Sequence, residues 1–391
     1  MEIRIPLRQH VGKPCKPVVE VNDTVERGQL IAVPDGLGAN IHASVSGKVC
    51  EIADGHIAIL MDSVQPETYV RIPDSESHLE AIEDAGVVGA GGAGFPTHIK
   101  LKNPIPGGTV IINAAECEPI LKHNMAVSSE YPERIIRGLR YAMDIVEARE
   151  GIIAIKPHNR EAMLALGKAC KAMADVHVRY LPEIYPAGDE RVIIREILGV
   201  ELEPGALPSV AKAVVLNVET VKNITAAIED RKPVICKDIT VGGRVAEARE
   251  GMVFTEVPIG MPVETYIQKA GGYVAPYGEI VLGGPFTGKA GSPESPVTKT
   301  LGGVLVAMPF PQEARKVGVI ACECGAQEDR LREIAAGMGA EVVAETQCKR
   351  MVEVGGRYRC EKPGICPGQT EKVLELKRKG AQVIITGTCE D

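Results

Sequence analysis

The chain has 391 residues, a net charge of −8, and a composition that is 45% hydrophobic and 25% charged. That length holds more than one domain, and the acidic balance argues against a general nucleic-acid binder. No apolar run approaches the roughly 18 residues of a spanning helix, and the opening MEIRIPLRQH lacks a signal-peptide layout, so a cytoplasmic protein without direct membrane insertion is expected.

In chain order, residues 1–70 alternate short β-branched runs with Gly, Asn-Asp and Pro-Asp-Gly turns, which predicts a small barrel of hairpins. This stretch resembles the biotinyl/lipoyl-type barrel-sandwich hybrid domain. Its one comparable lysine, Lys48, lies beside a strand rather than at a hairpin tip, so a docking module is expected, not a carrier. DSESHLEAIEDAG predicts a short capped helix leading into the glycine-rich string GAGGAGFPTHIK, residues 89–100. From 109 the pattern is α/β: strands TVIINAAE, GIIAIK, HVRYLP and AVVLN alternate with helices. One of these is predicted from SSEYPERIIRGLRYAMDIVEARE with Ser caps, another over 160–174. Strands alternating with helices imply a mostly parallel, covered sheet. Residues 231–310 read as strand, turn, strand and helix, a compact α+β unit of β-grasp kind, followed by a Gly/Pro/Ser-rich connection. Residues 311–391 restart an α/β pattern.

A backbone stripped of Cβ atoms can lie against a flat ring or wrap a phosphate with its N–H groups. The string 89–100 is neither a GxGxxG turn between strand and helix nor a Walker A loop. Read whole, GxGGAGFPTxxK followed in order by NAAECEP, YPAGDE and LNVET resembles the flavin-binding subunit of respiratory complex I and, more closely, the RnfC protein of the Rnf electron-transport complex. The resemblance spans about residues 1–310. It implies an α/β and α+β multidomain protein: a barrel-sandwich hybrid domain (1–70), an FMN/NADH-binding α/β domain (71–230) and a β-grasp domain of SLBB type (231–310). A small Cys-rich α/β redox domain (311–391) follows.

The resemblance also implies roles. Gly89, Gly91, Gly92, Ala93 and Gly94 would line the flavin, and Lys100 would meet its phosphate. Asn113, Glu116 and Cys117 would lie along its other edge, with Asn217 and Thr220 near its phosphate. Phe95 would stack near the nicotinamide or adenine, and Glu118 and Glu190 would receive NADH, as carboxylates accept from ribose or carboxamide donors. The chain departs from the complex I pattern at Ala90, where those relatives carry Arg, and at Cys117, where they carry Ser. The CxxCxxCxxxCP run of iron–sulfur ligands has no counterpart here.

Six of the 11 cysteines follow residue 320: Cys322, Cys324, Cys348, Cys360, Cys366 and Cys389. Crowding of this kind in a cytosolic chain favours metal or redox work. Cys322 and Cys324 come directly after a strand, Cys360 and Cys366 flank a Pro/Gly loop before a helix, and Cys389 follows the last strand. A thiol relay and a [2Fe–2S]-type site both remain open for Cys322, Cys324, Cys360, Cys366 and Cys389. The segment resembles the tail of the electron-transfer protein associated with proline reductase, whose family continues into a selenocysteine site; a UGA codon read as stop would end a chain at CED. His10, His42, His98 and His123 show no metal spacing.

The expected protein is a soluble NADH-oxidising flavoprotein passing electrons from NADH through FMN to the carboxy-terminal cysteines. From there they go to a partner reductase, with proline reductase the candidate. The rivals are a flavin protein fed by ferredoxin and a non-catalytic adaptor with a degenerate flavin domain.

Overall fold

The computed structural model describes residues 1–53 and 55–387; Cys389 lies outside the described residues. The amino-terminal strands form two small antiparallel sheets. One runs Glu2–Pro6, His56–Met61, Gly47–Ala53, Thr24–Val25, and the other Lys16–Pro17, Leu30–Val33, Ile41–His42. Lys48 stands inside the strand Gly47–Ala53 and pairs with Leu60.

The central unit is a four-stranded parallel sheet in the order Val176–Tyr180, Glu150–Ile155, Thr109–Ala114, Ala213–Asn217. Alternation along its strands feeds both faces. Val110, Ile112, Val214 and Leu216 pack with Ile135, Leu139 and Ile224, whereas Ile111, Ile152, Ala154 and Val215 pack with Ile193 and Ile194. A sheet covered on both faces is the arrangement parallel strands require.

The helix predicted from SSEYPERII is two helices, His123–Glu130 and Pro132–Val146. Ser128 and Ser129 do not cap: their hydroxyls donate back to the carbonyls of Asn124 and Met125 inside the first helix. Pro132 starts the second, where a missing N–H costs nothing. The predicted helix over 160–174 stops at Cys170.

Residues 236–306 contribute a mixed five-stranded sheet with the short helix Glu264–Lys269. The last unit is a three-stranded parallel sheet, Val342–Gln347, Val317–Ala321, Val383–Thr386, with a hairpin formed by Met351–Val354 and Arg357–Cys360. Among the described residues no helix is long and apolar enough to cross a membrane.

Lys299 is almost fully buried where three of these units meet, and its Nζ donates to the carbonyls of Asn40 (2.6 Å) and Gly86 (2.7 Å). Two acceptors match the two N–H bonds of a neutral amine. Burial pulls its pKa from 10.5 down to about 7. Between those values the unfolded chain holds a proton that the folded chain lacks, so stability must rise with pH across that window and lie flat below it. Nearby His42 and Cys15, shifted by burial to about 3 and about 11, act outside the range pH 7 to 8.5. Over that range Lys299 should contribute a gain of about 1–2 kcal/mol to the stability read by urea unfolding. The stability of Lys299→Met should rise less than that of the wild type by that amount, since the lowered thiols Cys322 and Cys360 act in both chains; an unchanged rise in the variant would show that Lys299 is not the source.

Candidate functional site

The strands Thr109–Ala114 and Ala213–Asn217 are parallel neighbours, the second at the edge of the sheet. Carboxyl ends are where open α/β sheets bind ligands, and the space bounded by the loops at these two ends is the candidate crevice. Asn113 and Asn217 are register partners at that edge. Asn217 also caps the helix Val218–Glu229, its side chain accepting from Glu219 N.

The glycine string crosses this crevice. Its ends are tied by the Val88–Pro96 bridge and the bond from Gly89 N to Phe95 O (3.0 Å). Thr220 Oγ1 holds its shoulder, accepting from Ala90 N (2.9 Å) and donating to Val88 O (3.3 Å). The glycines divide by cause. A Cβ at Gly91 would stand 2.6 Å from Asn217 Nδ2, and Gly94 has φ +71° and lies against Gln9 and His10. A Cβ at Gly92 would meet nothing within 4 Å. Gly91, Gly92, Ala93 and Phe95 are exposed, and among the described residues no backbone bond from the N–H groups of 91–93 reaches another element.

The far wall is tied to the loop before the helix Glu190–Leu198. Asn113 Nδ2 donates to Gly188 O (2.9 Å), and Gly188 N donates to Cys117 Sγ (2.9 Å). Burial raises the Cys117 pKa, with Lys156 and the Gly188 N–H opposing. Lys100 and Glu190 pair with each other at 2.6 Å across the crevice mouth. Glu116 turns away and accepts from Asn124 Nδ2 (2.9 Å); burial pushes its carboxyl up. Glu118 accepts from Phe286 N, Thr287 N and Thr287 Oγ1, so it fastens the loop 284–288 onto the central unit. The structure thus brings Gly91, Asn217, Thr220, Asn113, Lys100 and Glu190 to this edge of the sheet, and Glu116, Cys117 and Glu118 line a cavity of about 990 Å³ beside it.

The carboxy-terminal unit docks on the same loop. Tyr185 hydroxyl donates to Cys324 O, its ring lies edge-on to Phe286 (4.7 Å), and Arg191 pairs with Glu323 (2.8 Å) and donates to Cys360 O (2.5 Å). Arg195 adds a bond to Pro363 O (2.9 Å). Cys322, Cys348 and Cys360 are buried and Cys324 is half-buried, whereas Cys366 is exposed. Among the described residues no three His, Cys, Asp or Glu side chains are arranged to hold a metal ion. Sequence reasoning missed Tyr185, Arg191 and Glu323 as the bridge. Tyr185 lies within the quoted YPAGDE motif, but nothing in linear order says what an Arg one turn later will meet.

Residues 82–226 match the family described as the Nuo51 FMN-binding domain, and residues 1–67 match the RnfC barrel sandwich hybrid domain. Over 326 residues the chain is 36% identical to the C component of the proton-translocating ferredoxin:NAD(+) oxidoreductase complex of Clostridium ljungdahlii, covering 78% of this chain and 70% of that protein. It is 32% identical to the Na(+)-translocating counterpart of Acetobacterium woodii, covering 77% and 72%. Cobalamin reductase PduS of Citrobacter freundii is 43% identical over 234 residues, which is 60% of this chain and half of that protein. The fold is shared with a chain of an NAD+-reducing [NiFe]-hydrogenase (TM-score 0.50, 24% identity, 59% of this chain and 46% of that one).

Proposed function

The chain belongs to the RnfC family of ion-translocating oxidoreductase components, and from that premise we propose that it is an NADH-oxidising flavoprotein that hands electrons to its own carboxy-terminal cysteines and then to a partner reductase. The names of two relatives include ferredoxin and NAD(+), and the match to an FMN-binding domain covers the residues described above. Bound FMN would supply the hydride acceptance and the electron release.

The residues fit that group. Open space over Gly92 admits a flat ring against the backbone, and the N–H groups of 91–93 suit a phosphate or a ring carbonyl. Asn217 and Thr220 hold the string from behind, and Asn113 and Cys117 hold the opposite wall through Gly188. Lys100, paired with Glu190 in the structure, would meet the phosphate, Glu190 would accept from NADH, and the exposed Phe95 would stack near the nicotinamide or adenine. A partner of the proline reductase kind rests on the likeness of the tail alone.

One observation carries the reading: the loop 183–191 serves the crevice through Gly188 and Glu190 and grips the cysteine-bearing unit through Tyr185 and Arg191 on either side. Electrons leaving the crevice therefore have a packed path to sulfur. The test is an anaerobic absorption spectrum after incubation with riboflavin phosphate. A flavin band at about 450 nm that bleaches with NADH supports the proposal. A band bleached only by reduced ferredoxin sinks the NADH assignment, and a colourless folded protein sinks the flavin one.

A further inference from the structure

Four thiols converge at the carboxyl edge of the last parallel sheet. Cys322 follows the strand Val317–Ala321, and Cys348 follows the neighbouring strand Val342–Gln347. The last register pair is Ala321 with Gln347, and the bond from Cys348 N to Ala321 O (2.8 Å) carries the ladder one step further. Cys322 and Cys348 thus stand side by side on adjacent strands, which run about 4.8 Å apart. That separation falls within the Cα spacing a disulfide spans. Cys324 touches Cys322 on one side and Cys360 on the other, so the sulfurs make contact in the order 348, 322, 324, 360.

The array is clamped at its middle. Glu323, between Cys322 and Cys324, accepts from Arg191, Arg359 and Cys360 N. Tyr185 fixes the backbone of Cys324 toward the crevice. At the other end Gln369 Nε2 donates to Cys348 Sγ (3.0 Å), while Gln369 Oε1 and Arg350 Nε are buried without a hydrogen-bond partner among the described residues. Unsatisfied polar atoms at one end of a thiol array are expected where the charge on sulfur changes between states.

We propose that these four cysteines are a thiol–disulfide relay in which a disulfide migrates between the Cys322–Cys348 pair and the Cys324–Cys360 pair. The role of Cys348 is new, and the relay rests on the electron-transfer reading above for its donor and acceptor. Starting from the Cys322–Cys348 disulfide, Cys324 gives its proton to the Cys360 thiolate beside it and attacks Sγ of Cys322, the proton ending on the departing Cys348. The Sγ322–Sγ348 bond breaks, and Cys348 leaves as thiolate and takes a proton. The Cys360 thiolate then attacks Sγ of Cys324 and expels Cys322. One disulfide is conserved throughout and no net electrons are needed. The disulfide now at Cys324–Cys360 accepts two electrons and two protons from the reduced flavin, and the Cys322/Cys348 dithiol reduces a disulfide of the partner. Cys322 suits the leaving role, because the Cys348 thiol beside it donates to the departing thiolate.

The experiment is peptide mapping under non-reducing conditions on the full chain, purified anaerobically without flavin and oxidised with limiting diamide. The wild type should give Cys322–Cys348 and Cys324–Cys360 linkages, in proportions that re-equilibrate with time. Cys348→Ser should lose the first linkage completely and leave oxidation at Cys324–Cys360. Cys50→Ser, which removes an exposed thiol of the amino-terminal unit, should leave both linkages unchanged. Absence of a Cys322–Cys348 linkage in a folded wild type would overturn the relay. So would iron with sulfide, or zinc, bound at one site per chain with these thiols shielded from alkylation. Because the map needs no flavin, a correct map in a colourless protein would sink the flavin proposal alone.

Discussion

Valine at position 92 should abolish flavin uptake while leaving the fold intact. Gly92 is the one glycine of residues 89–94 at which an added Cβ meets nothing within 4 Å, and its φ lies outside the left-handed region. The substitution therefore costs the empty protein little and fills only the volume a ring would take. Flavin content after reconstitution should drop at least tenfold, about 1.4 kcal/mol or more of lost binding, with the urea midpoint held near the wild-type value. Gly91→Val is the contrast. Its side chain collides with Asn217 and with the cap of the helix Val218–Glu229, so stability and flavin should fall together. Wild-type flavin content in Gly92→Val would remove the ring from this stretch of backbone and with it the proposed site.

The second large effect is on stability. Lys237 and Glu219 are 2% exposed each and form a buried ion pair. Lys237 also donates to Asp238 O (3.0 Å), and Asp238 N donates to Glu219 Oε1 (2.9 Å). Lys222 and Lys232 extend the network to Asp238 and Glu256. It joins the helix that begins beside Asn217 and Thr220 to the strand Cys236–Gly243 of the next unit. Removing one partner strands a buried charge, so Lys237→Met should destabilise by about 3–5 kcal/mol. Adding Glu219→Gln, which keeps the acceptor for Asp238 N, should recover at least half of that. Urea unfolding measures both. A loss under about 1 kcal/mol in the single variant would mean that water reaches the pair. Since Glu219 precedes Thr220, the single variant should also loosen the glycine string, seen as weaker flavin retention.

Much of this molecule is legible in one dimension. Period-two alternation with Gly and Pro turns marks the hairpin unit, and short apolar strands between amphipathic helices mark the parallel sheet, because each pattern reports which face of an element must leave water. The stripped backbone of 89–94 and the motifs after it are equally local and identify the family before any contact is known. The serine misreading has a local cause too: Ser128 and Ser129 satisfy their hydroxyls on the preceding turn, an option as available to them as capping.

What linear order leaves open is which neighbour each polar group chooses. Glu118 was free to face a nucleotide but fastens the loop at Thr287, Lys100 finds Glu190, and Cys348 joins Cys322 because two parallel strands end side by side. The sequence alone determined the elements, the family and the bare string of backbone, since these follow from side-chain size and periodicity. Only the tertiary structure decided that one loop, 183–191, touches both the crevice and the thiol array, because pairings between residues up to about 170 positions apart depend on how the packed units meet.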